Sequence, residues 1–186
     1  QWLRDELGLF ETSPECDRLA ESVPSAGGVY VVPAFTGLGA PYWDMYARGA
    51  LVGLTRGTSR DHIIRAAQES IAYQVADLVN AMQQDTGLTL ASLKADGGAS
   101  RDHFLMQFQS DIIHCKVRRP AIRETTALGA AYLAGLGVGV WDSLDEIKKL
   151  WECDIVYEPQ MSEDQRQDLM RHWHEAVHRS LGWAAI

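Results

Sequence analysis

The sequence has little cysteine, no long apolar run and no surplus of positive charge, and each shortage removes a class of protein. Its cysteines are Cys16, Cys115 and Cys153. An odd, widely spaced set with no CxxC pair does not make a disulfide framework and fits a reducing, cytoplasmic setting. No stretch approaches the ~18–20 consecutive apolar residues that a membrane-spanning helix needs. Asp and Glu outnumber Lys and Arg by 25 to 17, for a formal net charge of −8. Nucleic acid is a poor partner for such a chain, because phosphate binding needs a basic face.

What is present is a mixed sequence of 186 residues, 46% hydrophobic and 23% charged, which is the composition of a globular domain able to bury a core. It opens Gln1-Trp2-Leu3-Arg4-Asp5-Glu6-Leu7, with apolar residues at helical spacing and neither an initiator Met nor a capping residue before them. Residues 1–9 therefore read as the end of a helix, and the chain as a fragment whose chemistry is completed upstream. Residues 11–28, with Pro14 and Pro24, read as a polar connection.

Val29-Tyr30-Val31-Val32 has the β-branched and aromatic enrichment of a strand. It runs into a Gly/Pro-rich loop over residues 33–44 that carries Phe35, Tyr42 and Trp43. Aromatics in such a loop serve either core packing or a ligand. A second strand is expected over 49–54, then a helix over about 58–85. In that helix Ile63, Ile64, Ala67, Ile71, Val75, Leu78, Val79 and Met82 share one face, Thr58 or Ser59 caps the start and Gly87 ends it. Glu69 within it reads as a solvated or paired charge.

Asp96-Gly97-Gly98-Ala99 follows a short apolar run and precedes a helical pattern, so it sits where a strand turns into a helix. Gly admits φ > 0 and close approach, and a helix start offers unpaired N–H groups to an anion. The same residues also make an ordinary tight turn. Residues 115–119 read as a strand whose Lys116, Arg118 and Arg119 form either an anion site or the solvated face of an edge strand. Glu124-Thr125-Thr126 starts a helix in which Gly129, costly at that place, implies a close neighbour. The 135–139 glycine run follows a helix and lacks dinucleotide spacing. A short helix over 144–151, an extended piece at 155–157 and a terminal helix from Ser162, with the S-x-x-Q capping pattern, complete an α/β order.

His174-Glu175-Ala176-Val177-His178 spells HExxH, the zinc-protease pair of imidazoles with a Glu base. A catalytic zinc needs a further protein ligand, and residues 179–186 contain no His, Glu, Asp or Cys. The segment reads as a polar terminal helix.

Taken together, the 29–44 strand and loop, Arg48-Gly49-Ala50, His62-Ile63-Ile64-Arg65-Ala66, Asp96-Gly97-Gly98-Ala99, Phe104-Leu105-Met106-Gln107-Phe108-Gln109 and the 124–135 helix resemble, in order, the C-terminal half of the FGGY carbohydrate kinases. Within that family they look most like the members that phosphorylate glycerol. The likeness runs from Gln1 to about Trp141 and more loosely to the end. It implies an actin-like ATPase, ribonuclease-H-like fold, a mixed sheet with helices on both faces, in three parts: residues 1–28 connecting from a missing N-terminal domain, 29–141 forming the nucleotide-binding domain and 142–186 a helical appendage.

The resemblance also implies a reaction, transfer of the γ-phosphoryl of Mg-ATP to a terminal hydroxyl of glycerol, by a homo-oligomer in the intact enzyme. Gly98 matches the glycine that approaches ATP, beside Gly97, and Gln1 matches a glutamine on the helix bordering the phosphates. The family's usual Asn four residues after the glycine is Asp102 here, and its usual apolar residue at another position is Gln68. An ionised Asp only accepts hydrogen bonds, which implies a bond to the adenine amino group or an altered adenine fit. The base, the glycerol-binding residues and a phosphate-binding loop are implied upstream of Gln1, so no catalytic residue and no metal ligand is expected in this chain, with ATP and Mg2+ as cofactors. The alternatives are another FGGY polyol or sugar kinase, or a non-catalytic nucleotide-binding module.

Overall fold

The computed structural model describes residues 1–122 and 124–185. Its elements in chain order are α1 (Trp2–Asp5), α2 (Ser13–Glu21), β1 (Tyr30–Val32), β2 (Ala50–Val52), α3 (Arg60–Thr86), β3 (Ser92–Lys94), a 3-10 turn (Gly98–Arg101), α4 (His103–Ile113), β4 (Lys116–Pro120), α5 (Thr125–Gly137), α6 (Leu144–Lys149), β5 (Cys153–Tyr157), α7 (Glu163–Ser180) and a final 3-10 turn (Trp183–Ala185). β1 and β2 pair antiparallel, and β4 lies between β3, its parallel neighbour, and β5, its antiparallel one. The fold is thus α/β with a mixed sheet. None of the helices among the described residues is long and apolar enough to cross a membrane.

Local chemistry sets the helix ends. Ser59 caps α3 by accepting from His62 N while the His62 ring accepts from Ser59 N, and Gly87 closes it in the left-handed region at φ 68. Ser162 caps α7 by accepting from Gln165 N. The 11–28 segment is not merely a connection: Thr12 accepts from Glu15 N, and Glu15 Oε2 accepts from Glu11 N, around a helix start with Pro in its first turn. α2 then packs on α3, where Arg65 donates to the carbonyls of Ala20 and Val23.

The core lies between α3, α4, α7 and the two sheets. Tyr73 of α3 stacks on Trp173 of α7 with ring centroids 5.3 Å apart and meets Phe108 of α4 edge-on at 5.5 Å. The apolar face expected on α3 is only partly the one buried: Ile64 is inside, but Ile71, Leu78 and Met82 are exposed. The face turned to the core carries small and polar residues, Ala66, Ser70, Ala72, Ala76 and Asp77, beside Tyr73. Small residues admit close helix packing, and the polar ones have partners, so burial and hydrophobicity part company there.

β4 is the centre of its sheet rather than an edge. Its charges are neutralised from outside the strand: Arg119 is buried against Asp154 at 2.6 Å, Lys116 meets Glu158 at 2.6 Å, and Arg118 lies over the Trp151 ring. Gly129 has nothing within 4 Å of an added Cβ, contrary to the close neighbour expected there. Within α5 the tight glycine is Gly135, where a Cβ would run into the Trp141 ring.

The 33–44 loop is divided. Tyr42 is anchored inward, Phe35 meets Trp2 with centroids 5.4 Å apart, and Trp43 is 79% exposed. The end of the chain fastens the loop and its continuation, with Gly182 N donating to Asp44 Oδ2 at 2.7 Å, Ala184 N to Tyr46 O at 2.9 Å and Arg48 N to Ser180 O at 3.3 Å.

Candidate nucleotide site

Asp96-Gly97-Gly98-Ala99 leave β3 and enter the 3-10 turn that runs directly into α4. Gly97 takes φ 78 and ψ −171, a backbone state that residues with a Cβ rarely adopt. At both Gly97 and Gly98 the place of a Cβ has no protein atom within 4 Å, so the backbone there is unobstructed. The first N–H groups of such a turn have no partner inside it and suit an anionic or polar ligand.

Three contacts hold the turn. Ser100 Oγ donates to Gly97 O at 2.8 Å, Arg119 Nη1 reaches Ser100 O at 3.4 Å, and the Thr125 hydroxyl at the start of α5 donates to Asp96 Oδ2. The 96–99 and 124–126 motifs, singled out separately in the sequence, therefore meet in space.

Asp102 is the N-cap of α4. Its Oδ1 accepts from Leu105 N at 2.9 Å, and the residue is only 8% exposed. α2 packs beside it, bringing the negative charge of Asp17 to bear on its carboxyl. Burial pushes the Asp102 pKa up to about 7; the Leu105 N–H draws it back, while the charges of Asp17 and Glu21 push it further. Gln68 of α3 completes the contact, donating through Nε2 to Asp17 Oδ1 at 3.1 Å and to Cys16 Sγ at 3.2 Å. Burial raises the Cys16 thiol pKa. Gln68 Oε1 is buried with no hydrogen-bond partner among the described residues.

Gln1 is exposed at the start of α1, its side chain facing Asp5, and no hydrogen bond between it and the Gly97–Asp102 turn exists among the described residues. Sequence reasoning passed over the α2 contribution altogether, although Thr12 with Glu15 three residues on was a readable helix start.

Two other polar clusters are structural. Asp77, buried on α3, accepts from Tyr42 OH at 2.6 Å, Trp173 Nε1 at 2.7 Å and His174 Nε2 at 2.8 Å. The Asp77 carboxylate raises the His174 pKa. The first imidazole of the HExxH string is thereby committed to a carboxylate of another helix. Among the described residues no group of three or more His, Cys, Asp or Glu is arranged to hold a metal. Separately, a groove of about 540 Å³ bordered by Val29, Tyr30, Phe104, Phe108 and His172 contains the Arg65–Glu69 pair, 2.8 Å apart. Burial raises the Glu69 pKa even against that arginine. This groove does not include the glycine turn.

Comparison with known proteins places the site in context. The family model described as "FGGY family of carbohydrate kinases, C-terminal domain" matches residues 1–138. A glycerol kinase from Caldanaerobacter subterraneus subsp. tengcongensis is 59% identical over 184 residues, 99% of this chain and 37% of that protein. A glycerol kinase from Alkaliphilus oremlandii is 58% identical over 183 residues, 98% of this chain and 36% of its own. Among solved structures, Plasmodium falciparum glycerol kinase with ADP superposes with a TM-score of 0.88 at 40% identity, covering 97% of this chain and 36% of that one. Ligand-bound xylulose kinase from Lactobacillus acidophilus gives 0.82 at 27% identity over 96% of this chain and 36% of its own. The chain thus spans little more than a third of the length of these relatives.

Proposed function

This chain belongs to the FGGY family of carbohydrate kinases, and from that membership we propose that it is the ATP-binding C-terminal part of a glycerol kinase. The complete protein would transfer the γ-phosphoryl of ATP to glycerol, giving glycerol 3-phosphate. Its fold is the actin-like ATPase fold of that family, an α/β architecture with a mixed sheet. The observation that carries the reading is the match of nearly the whole chain to glycerol kinases at 57–59% identity, against 27% for the xylulose and gluconate kinase structures from Lactobacillus acidophilus. Another sugar kinase or a non-catalytic module is correspondingly less favoured.

In this reading Gly97 and Gly98 give bare backbone to the adenosine side of the nucleotide, Asp102 supports that turn from beneath, and Gln1 borders the phosphates. The open Cβ positions of both glycines fit a ligand that approaches main chain closely. Phosphoryl transfer depends on positioning, a base for the attacking hydroxyl and charge stabilisation. The base and the glycerol site belong to a preceding part of the protein, and this chain contributes none of them. Magnesium would travel with the nucleotide phosphates and neutralise their charge.

The three parts, 1–28, 29–141 and 142–186, are consecutive pieces of this unit. Exposed Ile71, Leu78 and Met82 on α3 and Leu133 on α5 leave apolar surface for the preceding domain or a second copy in a cytoplasmic homo-oligomer. Calorimetric titration with ATP and ADP, alongside a coupled glycerol phosphorylation assay, tests the proposal. Nucleotide binding without turnover by the chain alone is expected, and binding of neither nucleotide, or full turnover by the isolated chain, would overturn it.

A further inference from the structure

The groove of about 540 Å³ between the 24–30 segment, α3, α4 and α7 lies apart from the glycine turn and has no part in the nucleotide reading. We propose that it is a second ligand site, one that takes an organic ammonium ion with a flat apolar body: aromatic rings wall it, carboxylates line it, and its arginine is already engaged.

Two stacked ring pairs form the walls. Tyr30 of β1 lies along His172 of α7 with ring centroids 6.1 Å apart, and Phe104 lies along Phe108, both on α4, at 5.8 Å. The face of an aromatic ring carries negative potential and attracts a cation within about 6 Å of its centroid. One wall receives a cation already, because the Arg65 guanidinium sits 4.6 Å from the centre of the Phe104 ring. A volume of about 540 Å³ also falls in the range of small-molecule sites, which are mostly apolar with a few placed polar groups.

The polar groups select the sign of the ligand. Glu69, Asp111 and Asp168 bring carboxylates to the lining, against Arg65 and His172 on the basic side. Arg65 is turned to protein partners, its Nε to Glu69 at 2.8 Å and its Nη1 to the Ala20 and Val23 carbonyls. The His172 ring is turned to the backbone carbonyl of Asp168, 2.9 Å from its Nδ1. At the rim, the hydrogen bond from Arg171 holds the Asp168 carboxyl below the usual carboxylate range, so that it stays ionised. An anion entering the groove meets carboxylates whose neighbouring cations are engaged. An ammonium ion meets acceptors and ring faces.

Glu69 is the independent sign of a missing donor. It is 4% exposed, so water does little for its charge, and a buried carboxylate needs its oxygens satisfied. Arg65 serves Oε1, while Oε2 meets the Tyr73 hydroxyl only at 3.5 Å, the outer limit of a hydrogen bond. The Arg65–Glu69 pair is itself structural, since through Arg65 it ties α3 to α2, yet it leaves one carboxylate oxygen weakly held. An ammonium N–H supplies the second donor. The burial that raises the Glu69 pKa is then offset by a second cation.

The test is calorimetry at pH 7 on the intact protein with three probes of one shape: tryptamine, which is an ammonium ion there, its neutral alcohol tryptophol, and the anion indole-3-propionate. Tryptamine should bind one to one and about tenfold tighter than tryptophol, and the anion should not bind. Glu69→Gln should abolish the advantage of amine over alcohol, with a thermal melt to show that the variant folds. Phe104→Leu, which keeps apolar volume but removes the ring, should reduce that advantage about fivefold, and it decides the matter if Glu69→Gln does not fold. Equal binding of amine and alcohol, tighter binding of the anion, no binding of tryptamine at millimolar concentration, or an advantage unchanged in the folded variants overturns the proposal. Saturating ADP should leave tryptamine affinity unchanged; displacement by ADP would place the amine at the glycine turn and overturn the assignment to the groove. Failure of ADP itself to bind counts against the nucleotide reading alone, and the probe series still decides the groove.

Discussion

Trp173 donates its indole N–H to Asp77 across 2.7 Å, joining α7 to α3 at the centre of the core. The same carboxylate takes the Tyr42 hydroxyl and the His174 imidazole, so one buried acid ties the 33–44 loop and the terminal helix to the longest helix of the chain. Removing it would leave the Trp173 and Tyr42 donors without an acceptor in an apolar setting. Asp77→Ala is therefore expected to destabilise the chain by about 2–6 kcal/mol, given roughly 1–3 kcal/mol for each of the two stranded donors. Asp77→Asn, which retains one acceptor oxygen, should lose less. Urea denaturation of both variants checks the ordering.

The His174 contact gives stability a pH dependence with a definite sign. Its folded-state pKa is raised by the Asp77 hydrogen bond, so its contribution is fully present below the unfolded value of ~6.5 and is lost as pH rises through the folded value. Because the imidazole is half exposed, solvent screening limits this to under about 1 kcal/mol. Thermal melts of wild type and His174→Gln between pH 6 and pH 8.5 should converge at the alkaline end. A gap independent of pH would show that the imidazole acts by packing alone.

The two glycines of α5 should respond in opposite ways. Gly135→Ala runs a methyl group into the Trp141 ring and should cost about 1–3 kcal/mol through overpacking. Gly129→Ala meets open space in this chain and should gain roughly 0.5–1 kcal/mol from helix propensity. Helical circular dichroism during denaturation separates the pair.

Gly97→Ala tests the turn directly. With φ at 78, an alanine is strained by about 1–2 kcal/mol, and the turn would relax away from its open geometry. ADP affinity should fall about tenfold, the equivalent of that strain at 1.4 kcal/mol per decade. Affinity equal to wild type would remove the turn from the site.

Much of this organisation could be read in the residues. Ser59, Gly87 and Ser162 announced helix ends because capping is local chemistry, confined to a few neighbouring residues. The glycine turn was visible for the same reason. What escaped notice depended on partners far along the chain. The polarity of Lys116, Arg118 and Arg119 suggested an edge, yet Glu158, Trp151 and Asp154 from a later segment make β4 central. Periodicity located α3 but misplaced part of its buried face, since Ser70 and Asp77 lie inward while Ile71 and Met82 lie outward. Asp102 stands out by its position, but the packing of α2 beside it is hidden in a segment, 11–28, that reads as a connection.

The bond from Gly182 N to Asp44 Oδ2 closes a separation of 138 residues, which bears on the order in which the molecule can assemble. Contacts of such span are the last to be rewarded during folding, because the intervening chain must first lose its freedom. On the ribosome, where synthesis proceeds at about 5–20 residues per second, Asp44 waits roughly 7–28 seconds for its partner to be made. Throughout that interval the 33–44 loop lacks the backbone donor that fastens Asp44, and only the arrival of Gly182 supplies it.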